Sequence, residues 1–434
     1  MKLKPARRID GQLSLPGDKS ISHRAALIAA LATGVSHLSN FSTSRDCAST
    51  LGCLRQLGVE IIHDGNSWII KGCETFLASS APLDCGNSGS TIRMLAGILA
   101  SRDFKSELTG DESLRSRPMQ RIIEPLEQMG AHIDSRDGKP PITIHGSRDL
   151  RPIRYQLPVA SAQVKSCILF AGLGTKGRTE VIETTSTRDH TERLFNAFGV
   201  SVRTEIEESG KSVVSLEGPA KFTPGKISIP GDISSAAYFI AAAMLLPGSQ
   251  LAIKGLSLNP TRAEFLSVLR SWGADITTTD IQTECNEPVG TVLVNSGVDG
   301  PLERDQKQRL ADSMIPLLID ELPLLAIVGT QISGGLEIRN ARELRVKETD
   351  RLAATVQNLR AMGADVEEYD DGLAVSGPTR LRGALIDSYG DHRIAMAFAV
   401  AALIAEGASE INGEECVEIS FPEFFQLIET VVER

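Results

Sequence analysis

Positive charge, long apolar runs and paired cysteines are all scarce in this 434-residue sequence. Lys and Arg together number 45 against 55 Asp and Glu, so the net charge at pH 7 is −10. This balance disfavours a general nucleic-acid binder or a membrane-surface binder, since either would need a basic face. An anion site in this protein must therefore be local and built from a few cations aimed at one point.

We expect neither a membrane span nor an export signal in this sequence. The longest apolar runs, 236–246 and 394–405, are shorter than the ~20 residues that a bilayer-spanning helix needs. The first ten residues carry several charges and no apolar stretch, so we expect no secretory signal. The seven cysteines form no C-x-x-C pair, which favours buried thiols in a reducing compartment over disulfides or a zinc site. We therefore expect a cytoplasmic protein that holds no metal and no organic cofactor.

What the sequence does contain is repetition. One short phrase occurs five times: two apolar residues three positions apart, a glycine, then Ala or Val and a β-branched strand start. Its glycines are Gly58, Gly130, Gly199, Gly273 and Gly363. A glycine directly after an apolar helix is typical of a left-handed C-cap, where the missing Cβ removes a steric cost. Each phrase therefore predicts the end of a helix, a turn and the start of a strand.

A second phrase occurs six times and joins an Ala-rich apolar helix to a turn and a strand, as in AALIAALATGVSHLSN and AFAVAALIAEGASEING. These helices are apolar on nearly every side, so we expect them to be buried inside the domains. Units of about 70 residues that each combine strands with two helices predict six βαβαββ-like repeats and an α/β fold.

A longer repeat divides the chain into two similar halves. LSLPGDKS at 13–20 matches ISIPGDIS at 227–234, and a Pro-Gly pair marks each point where we expect the chain to cross between domains. The prediction is a discontinuous first domain, 1–19 plus 231–434, and a second domain, 20–230. We expect the active site in the cleft between them.

Polar clusters directly precede several of the buried helices: Lys19-Ser20, Asn87–Ser90, Ser161–Gln163 and Asp391–Arg393. A helix N-terminus presents unpaired N–H groups and the positive end of the helix dipole, and it therefore attracts anions. Ser and Asn at these positions are also ordinary N-caps. Lys and Arg, however, oppose the dipole unless an anion is present. Their repeated presence indicates anion binding.

Four motifs occur in a fixed order: GDKSISHR at 17–24, SAQVKS at 161–166, LRVKETDR at 344–351 and GDHR at 390–393. Together they resemble the 5-enolpyruvylshikimate-3-phosphate synthase family over essentially the whole chain, and the first two are similar to its class II branch. The resemblance implies two inverted α/β domains of three βαβαββ units each. It implies a shikimate-pathway transferase for aromatic amino acid biosynthesis. Such an enzyme moves the enolpyruvyl group of phosphoenolpyruvate to the 5-hydroxyl of shikimate 3-phosphate and releases phosphate by addition and elimination.

The resemblance also implies roles for individual residues. Shikimate 3-phosphate would be bound by Lys19, Ser20, Arg24, Ser161, Ala162, Gln163, Arg188, Asp320 and Lys347. Phosphoenolpyruvate would be bound by Lys19, Gly89, Arg117, Gln163, Arg351 and Arg393. Arginine suits this task because its planar guanidinium holds carboxylate or phosphate with two bonds. Catalysis would depend on Asp320, Glu348 and Lys19.

Two carboxylates would divide the proton transfers. We interpret Asp320 as the base toward the 5-hydroxyl and Glu348 as the group that exchanges a proton at the methylene carbon. The division between them stays open. Lys19 and Lys347 would stabilise negative charge as the phosphate leaves.

Two positions depart from the family pattern. Ile419 stands where some members have a lysine just before Ser420-Phe421-Pro422, so one cation for phosphoenolpyruvate is absent or replaced. Gly89 stands where class II members often have alanine. In the family the herbicide glyphosate occupies the phosphoenolpyruvate pocket, and a glycine at this position predicts an enzyme that glyphosate inhibits.

Other interpretations remain open at this point. A sister transferase that acts on a UDP-sugar shares the fold, but its reactive cysteine has no counterpart in 111–120 and its Lys-Asn pair is Lys19-Ser20 here. A non-catalytic repeat protein is the third possibility. Taken alone, 342–351 reads as a solvated helix face and Asp320 as an N-cap. We expect a monomer that binds small molecules and neither nucleic acid nor membrane.

Lys19→Ala is expected to lose far more activity than stability. Lys19 in the first copy of the long repeat corresponds to Ile233 in the second, so the fold itself does not require a lysine here. Turnover and melting temperature measured on the same preparations test this expectation. A sharp fall in melting temperature with turnover near the wild-type value would contradict the catalytic interpretation.

Overall fold

The structure, a computed structural model, describes residues 1–297 and 307–434. The chain folds into two units. The first unit contains Met1–Pro16, Pro230–Gln282 and Pro288–Arg434, and the second contains Gly17–Ile229 and Thr283–Glu287. Lys19 thus falls in the second unit, whereas the sequence analysis ended the first domain at that residue. Thr283–Glu287, assigned above to the first domain, also groups with the second unit.

The described residues form fourteen α-helices: α1 Lys19–Leu31, α2 Arg45–Gln56, α3 Gly89–Ala100, α4 Glu112–Ser116, α5 Gln120–Gln128, α6 Ala162–Gly172, α7 His190–Ala197, α8 Ile233–Leu245, α9 Glu264–Ser271, α10 Ile315–Leu318, α11 Leu322–Gly329, α12 Arg351–Ala361, α13 His392–Ile404 and α14 Phe424–Val431. Short 3₁₀ turns cover Asp312–Met314, Arg342–Val346 and Glu414–Ile419.

The strands are β1 Lys2–Leu3, β2 Arg8–Ser14, β3 Gly34–Ser39, β4 Glu60–Asp64, β5 Ser67–Gly72, β6 Leu83–Asp84, β7 Lys105–Thr109, β8 His132–Arg136, β9 Lys139–His145, β10 Arg154–Gln156, β11 Gly177–Glu183, β12 Val202–Ile206, β13 Ser212–Gly218, β14 Lys226–Ser228, β15 Gln250–Ser257, β16 Asp275–Glu284, β17 Glu287–Asn295, β18 Gln308–Arg309, β19 Leu336–Ile338, β20 Val366–Tyr369, β21 Gly372–Val375, β22 Leu385–Asp387, β23 Ser409–Asn412 and β24 Val432–Glu433.

The described residues form six sheets, three in each unit, and four of these sheets share one plan. In the order β14-β3-β5-β4 the first pair is parallel and the other two pairs are antiparallel. The same plan recurs in β6-β7-β9-β8, β10-β11-β13-β12 and β18-β19-β21-β20. The parallel pairs β2/β15 and β22/β23 begin the remaining two repeats. A helix connects the strands of a parallel pair because parallel neighbours need a long crossover. The predicted α/β fold of six βαβαββ repeats is confirmed.

The five repeated glycines are the turns that the sequence predicted. Their φ angles are +87° at Gly58, +99° at Gly130, +87° at Gly199, +94° at Gly273 and +85° at Gly363. Each lies two residues after the last residue of a helix, namely α2, α5, α7, α9 and α12. Residues with a Cβ rarely adopt this backbone region, so glycine is the residue that ends these helices at least cost.

Six buried helices form the centre of the two units: α1, α3 and α6 in the second and α8, α11 and α13 in the first. The two helices that follow the Pro-Gly crossovers, α1 and α8, are both thirteen residues long and are both capped by an aspartate, Asp18 or Asp232. Between α3 and α6 the backbones nearly touch. A Cβ placed on Gly97 would lie 2.1 Å from the carbonyl oxygen of Cys167.

The cysteines are thiols without disulfide partners, and five of the seven are buried. Burial raises the pKa of Cys47, Cys167 and Cys416 to about 12, so these groups stay protonated at neutral pH. Within 1–297 and 307–434, no helix combines the length and the apolar character needed to cross a membrane.

Candidate functional site

In the second unit, side chains from α3 and α6 meet at the beginnings of the two helices. Gly89 is the first residue of α3, and Ser88 caps this helix by accepting a hydrogen bond from the N–H of Thr91 at 3.1 Å. Arg93 Nη1 donates to Gln163 Oε1 at 2.5 Å, and Gln163 Nε2 donates to Ser90 Oγ at 2.9 Å. The bare Cα of Gly89 therefore lies beside a guanidinium group held in place by α6.

Arg117 lies beside the same glycine. It is buried, and its Nη2 donates to Asn87 Oδ1 at 2.6 Å and to Ser113 Oγ at 3.1 Å. A Cβ built on Gly89 would lie 2.7 Å from Arg93 Nη1 and 3.5 Å from Arg117 Nη1. Two guanidinium groups thus flank the start of α3. This is the local concentration of cations that an overall acidic protein needs for binding an anion.

A further cation, Arg24, is held rigidly by hydroxyl groups. Arg24 is buried in α1, where its Nε donates to Thr191 Oγ1 at 2.7 Å and its Nη2 donates to Ser166 Oγ at 2.9 Å. Its Nη1 donates to the carbonyl oxygen of Ser20 at 2.9 Å. Ser166 and Thr191 are themselves hydrogen-bonded at 2.6 Å. The guanidinium therefore has one orientation, set jointly by α1, α6 and α7.

A buried charge cluster lies next to these hydroxyl groups in sequence. Lys165 Nζ is 2.9 Å from Glu183 Oε2 and 2.6 Å from Glu192 Oε1, and all three side chains are buried. Burial alone would lower the pKa of Lys165, but the charges of Glu192 and Glu183 outweigh it and raise the pKa. Burial raises the pKa of Glu192, against the opposing effect of Lys165. Because Lys165 precedes Ser166 and Glu192 follows Thr191, this cluster fixes the helix turns that hold Arg24.

Lys19 begins α1 and is paired with an acid. Its Nζ lies 2.9 Å from Asp46 Oδ2. The preceding residue, Asp18, caps the helix by accepting from the N–H of Ile21 at 2.9 Å. Nearby His23 is fully buried, and burial lowers its pKa well below the ordinary value, so its ring is neutral. Lys19 and Arg24 are thus the cationic groups of this turn.

The other predicted residues of the second unit lie on the same elements. Ser161 caps α6 and accepts from the N–H of Val164 at 3.4 Å, and Ala162 is the first residue of that helix. Ser20 follows Lys19 in the first turn of α1. Arg188 lies half-buried in the loop before α7.

In the first unit, one buried arginine binds three carboxylates. Arg351 is 2% exposed and is the first residue of α12. Its Nε donates to Asp391 Oδ2 at 2.7 Å, and its Nη2 donates to Glu348 Oε2 at 2.7 Å. Its Nη1 donates to Asp320 Oδ1 at 3.3 Å. Burial alone would lower the pKa of Arg351, but the charges of Asp391, Glu348 and Asp320 raise it above the ordinary value. The interpretation of 342–351 as a solvated helix face is therefore wrong.

Two further cations border these carboxylates. Arg393 is buried at the start of α13, with its Nη2 3.8 Å from Asp320 Oδ2. Lys347 is half-buried, with its Nζ 3.7 Å from Glu343 Oε1. Burial lowers the pKa of Lys347 despite the opposing charges of Glu343 and Asp320. Ile419 packs against the core of this unit and supplies no charge.

Comparison with known proteins decides the family. A sequence model described as EPSP synthase (3-phosphoshikimate 1-carboxyvinyltransferase) matches residues 3–428. The chain belongs to this family. Proteins named 3-phosphoshikimate 1-carboxyvinyltransferase from Koribacter versatilis and Solibacter usitatus are 52% and 47% identical to it, covering 100% of this chain and 99% of each relative. A solved EPSP synthase from Acinetobacter baumannii superposes with a TM-score of 0.86 at 37% identity, over 99% of this chain and 98% of that one.

Several residues of this EPSP synthase family member escaped the sequence analysis. Arg93 follows Gly89 by four positions, so helical spacing alone could have placed both on one face of α3. Asp391 was noted only as part of a polar cluster. No sequence pattern pointed to Asp46 or Thr191. Their partners, Lys19 and Arg24, are distant in sequence, and helix packing brings each pair together.

Lys165→Met is expected to lower the free energy of unfolding by about 3–5 kcal/mol, since it leaves two buried glutamates without their cation. The loss should shrink as the pH falls. Burial already holds the pKa of Glu192 above its ordinary value, and removing Lys165, whose charge lowers that pKa, raises it further, so the variant gains more stability on acidification than the wild type does. Urea unfolding between neutral and mildly acidic pH measures both effects.

A compensated variant provides the control. Adding Glu183→Gln and Glu192→Gln to Lys165→Met removes all three charges and should recover much of the lost stability. A single variant as stable as the wild type at every pH would show that the cluster does not depend on its lysine.

Proposed function

We propose that this chain transfers the carboxyvinyl group of phosphoenolpyruvate to the 5-hydroxyl of shikimate 3-phosphate and releases phosphate. The observation that carries the proposal is the pair of carboxylates, Asp320 and Glu348, held by one buried guanidinium, Arg351. The reaction moves two protons at different atoms, one from a hydroxyl and one at a methylene carbon. A pair of fixed carboxylates bordered by Lys347 and Arg393 is suited to that task.

The second unit supplies the cations for two anionic substrates. Arg24, held by Ser166 and Thr191, would bind shikimate 3-phosphate together with Lys19, Ser20, Ser161, Ala162, Gln163 and Arg188. Arg93 and Arg117, which flank Gly89, would bind phosphoenolpyruvate. Lys347 and Asp320 would complete the acceptor site, and Arg351 and Arg393 the phosphoenolpyruvate site. Both sets of residues would act on the same pair of substrates.

The chemistry then proceeds in two stages. The 5-hydroxyl oxygen attacks C2 of phosphoenolpyruvate while Asp320 accepts its proton, and the methylene carbon C3 gains a proton from Glu348. In the second stage C3 returns that proton to Glu348, the bond between C2 and the phosphate oxygen breaks, and Asp320 passes its proton to the departing phosphate. Lys19 and Lys347 stabilise the charge on the departing phosphate. The contact between Arg351 Nη1 and Asp320 is long, 3.3 Å, so a substrate anion can share the guanidinium.

We also expect a monomer in the cytoplasm that glyphosate inhibits and that needs no cofactor. Phosphate release measured with shikimate 3-phosphate and phosphoenolpyruvate tests the reaction. Turnover with a UDP-sugar acceptor in place of shikimate 3-phosphate would favour the sister transferase. If no phosphate is released with either acceptor, the result would favour a non-catalytic protein.

Glu348→Gln is expected to keep substrate affinity and to lose about 10²-fold or more in kcat. The amide oxygen can still accept the hydrogen bond from Arg351, but the amide cannot carry a proton to C3. Steady-state kinetics with both substrates measure kcat and KM separately.

Glu368→Gln is the matched control. Glu368 also pairs with an arginine of the first unit, Arg345, at 3.1 Å, but it lies on β20 away from the three carboxylates of Arg351. This variant should retain wild-type kcat. A Glu348→Gln enzyme within a factor of a few of the wild type would assign the proton role to another group.

Gly89→Ala is expected to raise the inhibition constant of glyphosate more than the KM of phosphoenolpyruvate. The new methyl group would lie 2.7 Å from Arg93 Nη1 and 3.5 Å from Arg117 Nη1, in the space that an anion bound by both would share. Arg93 can shift because the contact is at the flexible end of its side chain. Glyphosate is longer than phosphoenolpyruvate, so it loses more from the added bulk.

Inhibition kinetics on both proteins measure this selectivity. Gly52→Ala is the control, since a Cβ at that position meets no atom within 4 Å. A wild-type enzyme that is insensitive to high glyphosate concentrations would show that a feature other than Gly89 governs the pocket.

A further inference from the structure

Two histidines and an aspartate form a cluster on the solvent face of the sheet β6-β7-β9-β8. His132 and Asp134 lie on β8, and His145 lies on β9 directly opposite His132 in the antiparallel register. Residues i and i+2 of a strand share a face, and so do directly paired residues. The alternating residues Ile133 and Ile144 point into the core. The pleat therefore aligns all three polar side chains on one exposed face.

The nitrogen and oxygen atoms of these side chains converge. His145 Nε2 lies 2.8 Å from Asp134 Oδ2, and His132 Nε2 lies 3.4 Å from Asp134 Oδ1. The two imidazole rings lie side by side, tilted by 41°, with their centroids 4.8 Å apart. Bonds of about 2.0–2.1 Å in a tetrahedral zinc site separate neighbouring ligand atoms by about 3.3 Å. The two observed separations involve different oxygens of Asp134, and the ligand atoms, one from each residue, all lie within 4.8 Å of one another, so side-chain rotation would bring one set to the zinc spacing.

We propose that His132, Asp134 and His145 bind a divalent transition-metal ion, with zinc as the occupant, independently of the transferase site. Two imidazole nitrogens and one carboxylate oxygen suit zinc, copper or nickel, whereas magnesium and calcium favour oxygen ligands alone. Among the described residues, this is the one group of three or more His, Cys, Asp or Glu side chains with such convergence. Water fills the fourth position. The ion would attach β8, which is an edge strand, to β9.

Lys105 lies next to the cluster, and its positive charge opposes the binding of a cation there. It lies on β7 directly opposite His145, and its charge acts on Asp134. Its side chain is exposed and flexible, so it can turn away from the site at a modest cost. Zinc affinity should therefore increase when this charge is removed. If these side chains did not bind zinc, removing the charge of Lys105 would leave the zinc affinity of the protein unchanged.

The test uses the untagged full-length enzyme, stripped of metal by a chelator and then dialysed. Zinc binding is measured by competition with a chromophoric chelator, and the melting temperature is followed against zinc concentration. We expect one equivalent of zinc and a melting temperature that rises with zinc, because the ion binds the folded hairpin. Magnesium should give neither effect.

Variants of the cluster residues test whether zinc binds at this cluster. His132→Ala and His145→Ala should each weaken zinc binding by about tenfold or more, since even outer-sphere changes cost that much. Lys105→Gln should strengthen it several-fold. His63→Ala is the matched control, because His63 is an exposed histidine on β4 outside the cluster. It should bind zinc as the wild type does.

Two outcomes would overturn the proposal. One is the absence of zinc binding in the wild type. The other is unchanged binding in the His132→Ala/His145→Ala double variant, which would assign the metal to another group such as the half-buried thiols of Cys73 and Cys285. All cluster residues are exposed or half-buried, so circular dichroism should show each variant folded like the wild type.

Discussion

A helix that is apolar on every side must be covered on every side, and this constraint shapes both units. Each unit places three such helices in its centre and surrounds them with sheets and outer helices. In these helices, polar side chains can be accommodated mainly at the ends. The N-terminal turns of α1, α3, α6 and α13 carry Lys19, Ser90, Gln163 and Arg393 for this reason. The candidate functional side chains therefore lie mainly at the N-terminal ends of the buried helices.

Buried and half-buried arginines in the two units have partners of different kinds. In the second unit, hydroxyl and amide groups hold the arginines: Ser166 and Thr191 orient Arg24, and Gln163 orients Arg93. In the first unit, three carboxylates surround Arg351, and its guanidinium gives these acids fixed positions.

The sequence patterns predicted the fold well because they depend on local physics. Five glycines in left-handed turns and six buried helices follow from backbone sterics and from apolar periodicity, and both can be read along the chain. The crossover points were placed within a few residues, but the return of Thr283–Glu287 to the second unit was not foreseen. That return depends on where the turn between β16 and β17 packs, and the local sequence does not encode this position.

The site was less predictable because most of its side-chain partners lie on different elements of the chain. Lys19 was identified by comparing the two halves, yet its partner Asp46 lies on another helix. Arg351 was identified from its motif, which also contains Glu348, but Asp320 and Asp391 come from separate segments that only the folded first unit brings next to it. The backbone contact between Gly97 and Cys167 adds a mechanical consequence. Any side chain at Gly97 would act as a wedge between α3 and α6, about 12 Å along the helix from Gly89. It would separate Ser90 from Gln163 without touching either, so the hydrogen bond between these two side chains depends on a residue that has no side chain at all.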